Sequence, residues 1–345
     1  MAIDLANLLA NARSVQAAAH GAALLPVVKA DAYGLGAIPV ARALDALDPW
    51  GFAVATVGEA IGLRDAGVDR AILVFTPAFA DMLELYREYH LTAVLDDPAV
   101  VGSWNQPFHL EIDTGMGRCG VRWDVPEVIA AFATPHLEGA FTHFYAADEG
   151  PETVSIQWSR FASGLEALGN RPRLLHAGNS AGAWRLQERL DLVRPGIFLY
   201  GGQHAPDLTP PQPVATVRAP VVSLRRLPAG ATVSYGGTWR APRETTVATL
   251  GIGYADGVPR LVAGRAQVLV NGVRRPLVGR VTMDFIMVDL EEDAEGVSVG
   301  DIATVVGRDG DGEITIDEFA EWAETIAYEA LTRFGARLRR EYVDA

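Results

Sequence analysis

The chain has 345 residues, close to half of them hydrophobic, which is enough for one large domain and a smaller one. Its formal net charge is −14, with 29 Lys and Arg scattered among 43 Asp and Glu, so it lacks the clustered basic residues of a nucleic-acid surface. One cysteine, Cys119, excludes an internal disulfide and a Cys/His zinc cluster and fits a reducing, cytoplasmic compartment with no metal site.

Taken from the N-terminus, residues 1–9 carry Asp4 and no basic run, and Arg13 and His20 interrupt the Ala-rich stretch that follows, so neither a signal peptide nor a membrane anchor is expected. Short apolar runs then alternate with stretches of helical spacing. The runs are 24–28, 51–55, 71–75, 92–95, 108–112, 137–142, 173–176 and 197–200, with helical spacing over segments such as 38–47 and 156–168. Eight β-then-α repeats in about 200 residues predict a parallel sheet closed into a (β/α)8 barrel. Three prolines within 209–213 predict a connector, which sets the domains at 1–213 and 214–345. Beyond it, Val- and Thr-rich runs at 214–224, 245–252, 266–270, 285–290 and 302–306 between Gly and Pro turns predict a mostly antiparallel β domain. A helix is expected over 316–334, acidic at its start and basic at its end.

In a parallel barrel, reactive groups gather where the βα loops leave the carboxyl ends of the strands. That rule selects Lys29 after the first run, Glu111 and the Asp113–Arg118 loop at the fifth, His143 at the sixth, Asn179 and Ser180 after the seventh, and Arg194 entering the eighth. A lysine that follows four apolar residues is desolvated, which lowers its pKa and makes it a Schiff-base nucleophile; alternatively, it snorkels out of the strand end or pairs with Asp31. Ser180 lies in a Gly-Asn-Ser-Ala-Gly turn that feeds a helix, where free N–H groups suit a dianion. Residues 309–319 look like half of a calcium-binding EF-hand, but the first ligand position would fall on Gly307, so a hairpin is expected there.

The run Val-Val-Lys29-Ala-Asp-Ala-Tyr33-Gly resembles the cofactor-lysine motif of the alanine racemase family. Thr114-Gly-Met-Gly-Arg118, Thr142-His143, Gly178-Asn-Ser180, Arg194-Pro-Gly-Ile197, Ser234-Tyr235-Gly, Gly253-Tyr254-Ala-Asp-Gly, Thr282-Met283-Asp284 and Ile326-Ala-Tyr328 follow in the family's order. The resemblance implies a pyridoxal 5′-phosphate-dependent racemase that interconverts L- and D-alanine in a head-to-tail homodimer and supplies D-alanine for the cell wall. It implies that Lys29 carries the cofactor and serves one face of the substrate, while Tyr235 of the other subunit serves the opposite face. Arg194 would hydrogen-bond the pyridine nitrogen, His143 would pack near the ring, and Tyr33, Asn179, Ser180, Gly196, Ile197 and Tyr328 would hold the phosphate region. Arg118 would reach the cofactor's phenolic oxygen, and with Tyr254, Met283 and Asp284 it would meet the substrate.

One position departs from the family. Many relatives hold the equivalent of Arg118 with a carbamylated lysine, and Glu111 stands there in this chain. Strand alternation puts Glu111 on the same face as His109 and Asp113, so Glu111 is expected to orient Arg118 with its own charge. Two other readings fit part of the pattern: a racemase of serine or a basic amino acid, and a non-catalytic pyridoxal-phosphate carrier, a class that generally lacks the domain bearing Tyr235.

Overall fold

A computed structural model describes residues 1–291 and 294–343. The chain divides into two compact units, one made of Leu8–Leu199 and Gln203–Pro211, the other of Met1–Asn7, Tyr200–Gly202 and Gln212–Ala345. No helix among the described residues is long and apolar enough to cross a membrane.

The first unit is an eight-stranded parallel barrel: β1 (Ala23–Leu24), β2 (Gly51–Val54), β3 (Ala71–Val74), β4 (Ala93–Val94), β5 (Phe108–Asp113), β6 (Leu137–Phe141), β7 (Leu174–His176) and β8 (Leu192–Val193). Pairing runs from β2 to β3 and from β4 through β8, and β8 returns to β1 with Leu192 opposite Ala23. Single parallel bridges, Val27 to Ala53 and Leu73 to Thr92, join β1 to β2 and β3 to β4, which closes the ring. The eighth strand is therefore 192–193, and 197–200 is instead a buried 3-10 turn. Pro195 has no N–H for the ladder, and a short apolar run has the same burial whether it folds as strand or turn. Arg194 consequently leaves the eighth strand rather than entering it.

Helices pack outside the ring. In Pro151–Glu166, Val154 and Phe161 point inward at the spacing of a buried helical stripe, each contributing about 2 kcal/mol of apolar burial. Gly164 of the same helix lies so close to β5 that an added Cβ would sit 3.0 Å from Ile112 Cγ2. With Ile112 held outward, the alternate residues His109 and Glu111 are committed to the barrel interior.

The second unit is antiparallel: β9 (Ala215–Leu227), β10 (Thr245–Leu250), β11 (Gln267–Val270), β12 (Val273–Val278), β13 (Ile286–Asp289) and β14 (Ile302–Asp309). The first half of β9 pairs with β14 and the second half with β10, and a register irregularity between Val221 and Ser223, just after Pro220, turns the corner. The ladder continues from β10 through β13, β12 and β11 back to β14, so this sheet also closes. β12 went unpredicted because Arg274, Arg275 and Pro276 hide its alternation.

Two further expectations change. Ala2–Asp4 belongs to this unit, not to the barrel: it pairs antiparallel with 215–216 and parallel with 341–343, which satisfies both of its edges. The expected helix over 316–334 is two helices, Ile316–Trp322 and Ala327–Arg333, separated where Glu324 takes φ 55° and Ile326 is extended. The EF-hand-like stretch is a hairpin in which Asp309 faces Gly312, while Glu318 pairs with Arg274 at 2.6 Å.

Candidate active site

Lys29 begins a turn with reversed hand. Ala30, Asp31, Ala32 and Tyr33 have φ of 52°, 54°, 53° and 56°, and Gly34 follows at 85°. Ala32 N donates to Val28 O at 2.9 Å and Gly34 N to Ala30 O at 2.8 Å, the bonds of a left-handed helical turn. L-residues avoid this region, so side chains have to hold it. Asp31 Oδ1 accepts from Ala37 N at 2.8 Å, and Glu59 accepts from Ala30 N at 2.6 Å, Ala55 N at 2.8 Å and Thr56 N at 3.0 Å. Asp31 is thus engaged by backbone in the turn. Glu59 was legible as the last residue of a Thr-x-x-Glu capping box starting at Thr56, although its grip on the lysine turn was not.

Lys29 itself is half-buried, and burial, reinforced by Arg118 and opposed by Glu59, lowers its pKa. His143, two residues beyond β6, is pushed down to about 3 by burial and by the cations Arg194, Arg118 and Lys29. Arg194 follows β8 and is 2 % exposed. Its Nη1 donates to His176 Nδ1 at 2.9 Å and its Nη2 to the carbonyls of Thr142 at 2.8 Å and Ala177 at 3.2 Å. Burial lowers it to about 10, which leaves it protonated at neutral pH. His176 is a site residue that the sequence reading missed; it is the last residue of a strand whose alternation was not followed inward.

Beside Arg194, the backbone N–H groups of Gly196 (3.1 Å) and Phe198 (3.4 Å) converge on Ser180 Oγ. Gly196 cannot be larger, because a Cβ there would lie 2.4 Å from Tyr33 Oη. Asn179 braces the turn, accepting from Gly182 N at 2.9 Å. This cluster of N–H and hydroxyl groups suits a phosphate dianion, and the amine, the guanidinium and the neutral imidazole on the same barrel rim suit an aromatic aldehyde cofactor.

Glu111 is buried beneath the rim, and that burial raises its pKa to about 7 against the pull of Arg118 and Arg194. No hydrogen bond joins Glu111 to Arg118 among the described residues, and Arg118 is exposed, so their coupling is through space only.

The second unit carries its own group. Tyr235 stands in the 3-10 turn Tyr235–Gly237, between Ser234 at φ 63° and Gly236 at φ 75°. A Cβ at Gly253 would sit 2.4 Å from the carbonyls of Thr282 and Met283, so the glycine lets the two loops touch, and Tyr254 N donates to Thr282 O at 3.0 Å. Asp284 accepts from Arg337 at 2.8 Å. Tyr235, Tyr254, Met283 and Tyr328 are all exposed.

Two family models match: one described as "Alanine racemase, N-terminal domain" over residues 3–204, and one as "Alanine racemase, C-terminal domain" over 214–342. The alanine racemase of Carboxydothermus hydrogenoformans is 39 % identical, covering 99 % of this chain and 98 % of its own. The crystal structure of alanine racemase from E. faecalis superposes with a TM-score of 0.90 at 36 % identity, over 99 % of this chain and 97 % of that one. Alanine racemase from Bartonella henselae, solved with covalently bound pyridoxal phosphate, gives a TM-score of 0.90 at 28 % identity over 99 % and 98 % of the two chains.

Proposed function

This chain belongs to the alanine racemase family, and on that premise we propose that it interconverts L-alanine and D-alanine with pyridoxal 5′-phosphate. The observation that carries the reading is the rim itself, where a lysine of lowered pKa, a buried guanidinium and a backbone N–H cradle belong to one barrel. When bound, the cofactor makes the α-proton of an attached amino acid acidic. Every other part of the chemistry falls to side chains.

Lys29 is the amine that holds the cofactor; with its pKa lowered, it more readily sheds its proton and can take one from, or return one to, one face of the substrate. Arg194 would donate toward the ring nitrogen and keep its own proton, because a guanidinium is a donor only. A donor that keeps its proton would leave that nitrogen uncharged, which would restrain side reactions. His143 stays neutral and would pack by the ring. The turn bearing Ser180, Gly196 and Ile197, braced by Asn179, would hold the phosphate with hydroxyls from Tyr33 and Tyr328. Glu111, in its ionised form above about pH 7, would supply negative charge toward Arg118 without a carbamate.

We further propose a homodimer in which Tyr235, Tyr254, Met283 and Asp284 serve the rim of the other subunit, Tyr235 as the proton carrier for the opposite face. The exposure of Tyr235, Tyr254 and Met283 in the single chain supports this. The full-length match, C-terminal domain included, speaks against a carrier built from a barrel alone. A cytoplasmic location and supply of D-alanine to the cell wall accompany this reading.

The test is an absorbance scan of purified protein together with a D-amino-acid assay over a panel of L-amino acids. A cofactor band near the visible edge and preferential formation of D-alanine are expected. Absence of the band, or faster turnover of another amino acid, would overturn the respective half of the proposal.

A further inference from the structure

The proposed chemistry leaves unused a line of polar groups that runs through the barrel where apolar layers are the rule. From Arg194 Nη1 it passes to His176 Nδ1 at 2.9 Å, and from His176 Nε2 to His109 Nδ1 at 2.8 Å. His109 Nε2 is buried without a hydrogen bond and faces Glu138 Oε2 at 3.6 Å, while Glu138 is also paired with Arg173. Both imidazoles are fully buried. Phe141 stacks on His176 at 4.8 Å and Trp50 lies 5.6 Å from His109, which keeps water out. The ring of His109 occupies a slot that exists only because residue 139 is glycine: an added Cβ would come within 2.7 Å of it.

The end groups dictate every proton between them. A guanidinium only donates, so His176 Nδ1 accepts and His176 is neutral with its proton on Nε2. That proton points at His109 Nδ1, which must accept in turn, so His109 is also neutral and protonated on Nε2. Its N–H then points at Glu138, an acceptor only. Burial and the cationic Arg194 lower both histidines, in agreement with two neutral rings.

We propose that Glu138 is a positioning residue for Arg194, acting across the barrel from the start of β6 to the end of β8 through His109 and His176. Its negative charge polarises two aligned imidazoles and makes His176 Nδ1 a better acceptor for the arginine. Arg194 is thereby held in one orientation by a carboxylate that never approaches the rim.

The experiment uses the purified holoprotein with 15N-labelled histidine. Two-bond 1H–15N correlation is expected to show His109 and His176 neutral, both with Nε2–H, through the neutral pH range; an Nδ1–H tautomer or a charged ring at either position would overturn the relay. In Glu138→Ala, the His176 Nδ1 resonance is expected to move along with that of His109, and Glu138→Gln, which keeps an acceptor but no charge, should restore part of the shift. In racemisation, kcat should fall severalfold in Glu138→Ala with KM little changed, and Glu138→Gln should recover part of the loss. A perturbation that stops at His109, with unchanged kcat, would reduce Glu138 to a local partner and end the proposal. If Glu138→Ala does not fold, wild type and Glu138→Gln still decide. The kinetic measurement rests on the proposed racemase activity and the tautomer measurement does not, so the two can fail separately.

Discussion

Arg194 in the barrel unit is 2 % exposed and is fixed by His176 and by the carbonyls of Thr142 and Ala177, all from its own unit. Tyr235 in the β unit is 71 % exposed, on a turn whose backbone is pinned while the ring touches solvent. The barrel residues are held by one another, and their surroundings lower the pKa values of Lys29 and His143. Tyr235 has position without a packed environment. Changes at the barrel rim should therefore disturb structure and chemistry together, whereas changes at the exposed cluster should touch chemistry alone.

The largest effect expected is from Lys29→Ala, which removes the cofactor's covalent attachment and should lower racemisation by about 10⁴-fold, together with loss of the cofactor band. Tyr235→Phe should cost roughly 10²- to 10³-fold in rate while leaving stability within about 0.5 kcal/mol. A clear drop in Tm for that variant would break the contrast, since it would mean the hydroxyl is already part of a packed environment. Gly196→Ala drives a methyl group toward Tyr33 Oη, 2.4 Å away, and should weaken cofactor binding by about tenfold, measured by titrating cofactor into cofactor-free protein; unchanged affinity would show that the cradle is soft.

Glu111→Gln probes the buried side of the barrel rim through pH. The folded protein holds the Glu111 proton up to about 7, against a usual 4.5. Between those values the folded state binds a proton that the unfolded chain has released, so stability is fully present below the lower value and declines as pH rises to the upper one. The decline amounts to about 3 kcal/mol at most. The glutamine variant should flatten that slope in denaturant titrations across the interval; an unchanged slope would place its origin elsewhere.

Part of the barrel site was legible because strand ends are punctuated in sequence: Lys29 and His143 each follow an apolar run, whereas Arg194 was expected to enter a strand that it leaves. Where two structures share one signature, sequence does not separate them. Residues 197–200 are apolar and buried, as a strand would be, yet the proline and glycine before them turn the chain into a 3-10 helix. The line from Arg194 to Glu138 draws one residue from each of three strands and one from just beyond a fourth, and no local spacing announces such a meeting. Gly139 was its faintest trace, a glycine inside a strand, which marks a close approach from elsewhere in the fold.

The turn after Lys29 inverts the ordinary ranking of residues. In a right-handed helix alanine is the most comfortable residue and glycine among the least; in this reversed turn each L-residue stores about 1–2 kcal/mol, and glycine stores almost none. Three of the four residues there carry no more than a methyl or a carboxymethyl group, and two acids, Asp31 and Glu59, latch the backbone. The reactive amine thus sits on a wound spring. Ala30, whose side chain is exposed, offers the cleanest release: Ala30→Gly should raise Tm slightly while letting the lysine wander, a rare substitution that strengthens the fold by slackening its most important turn.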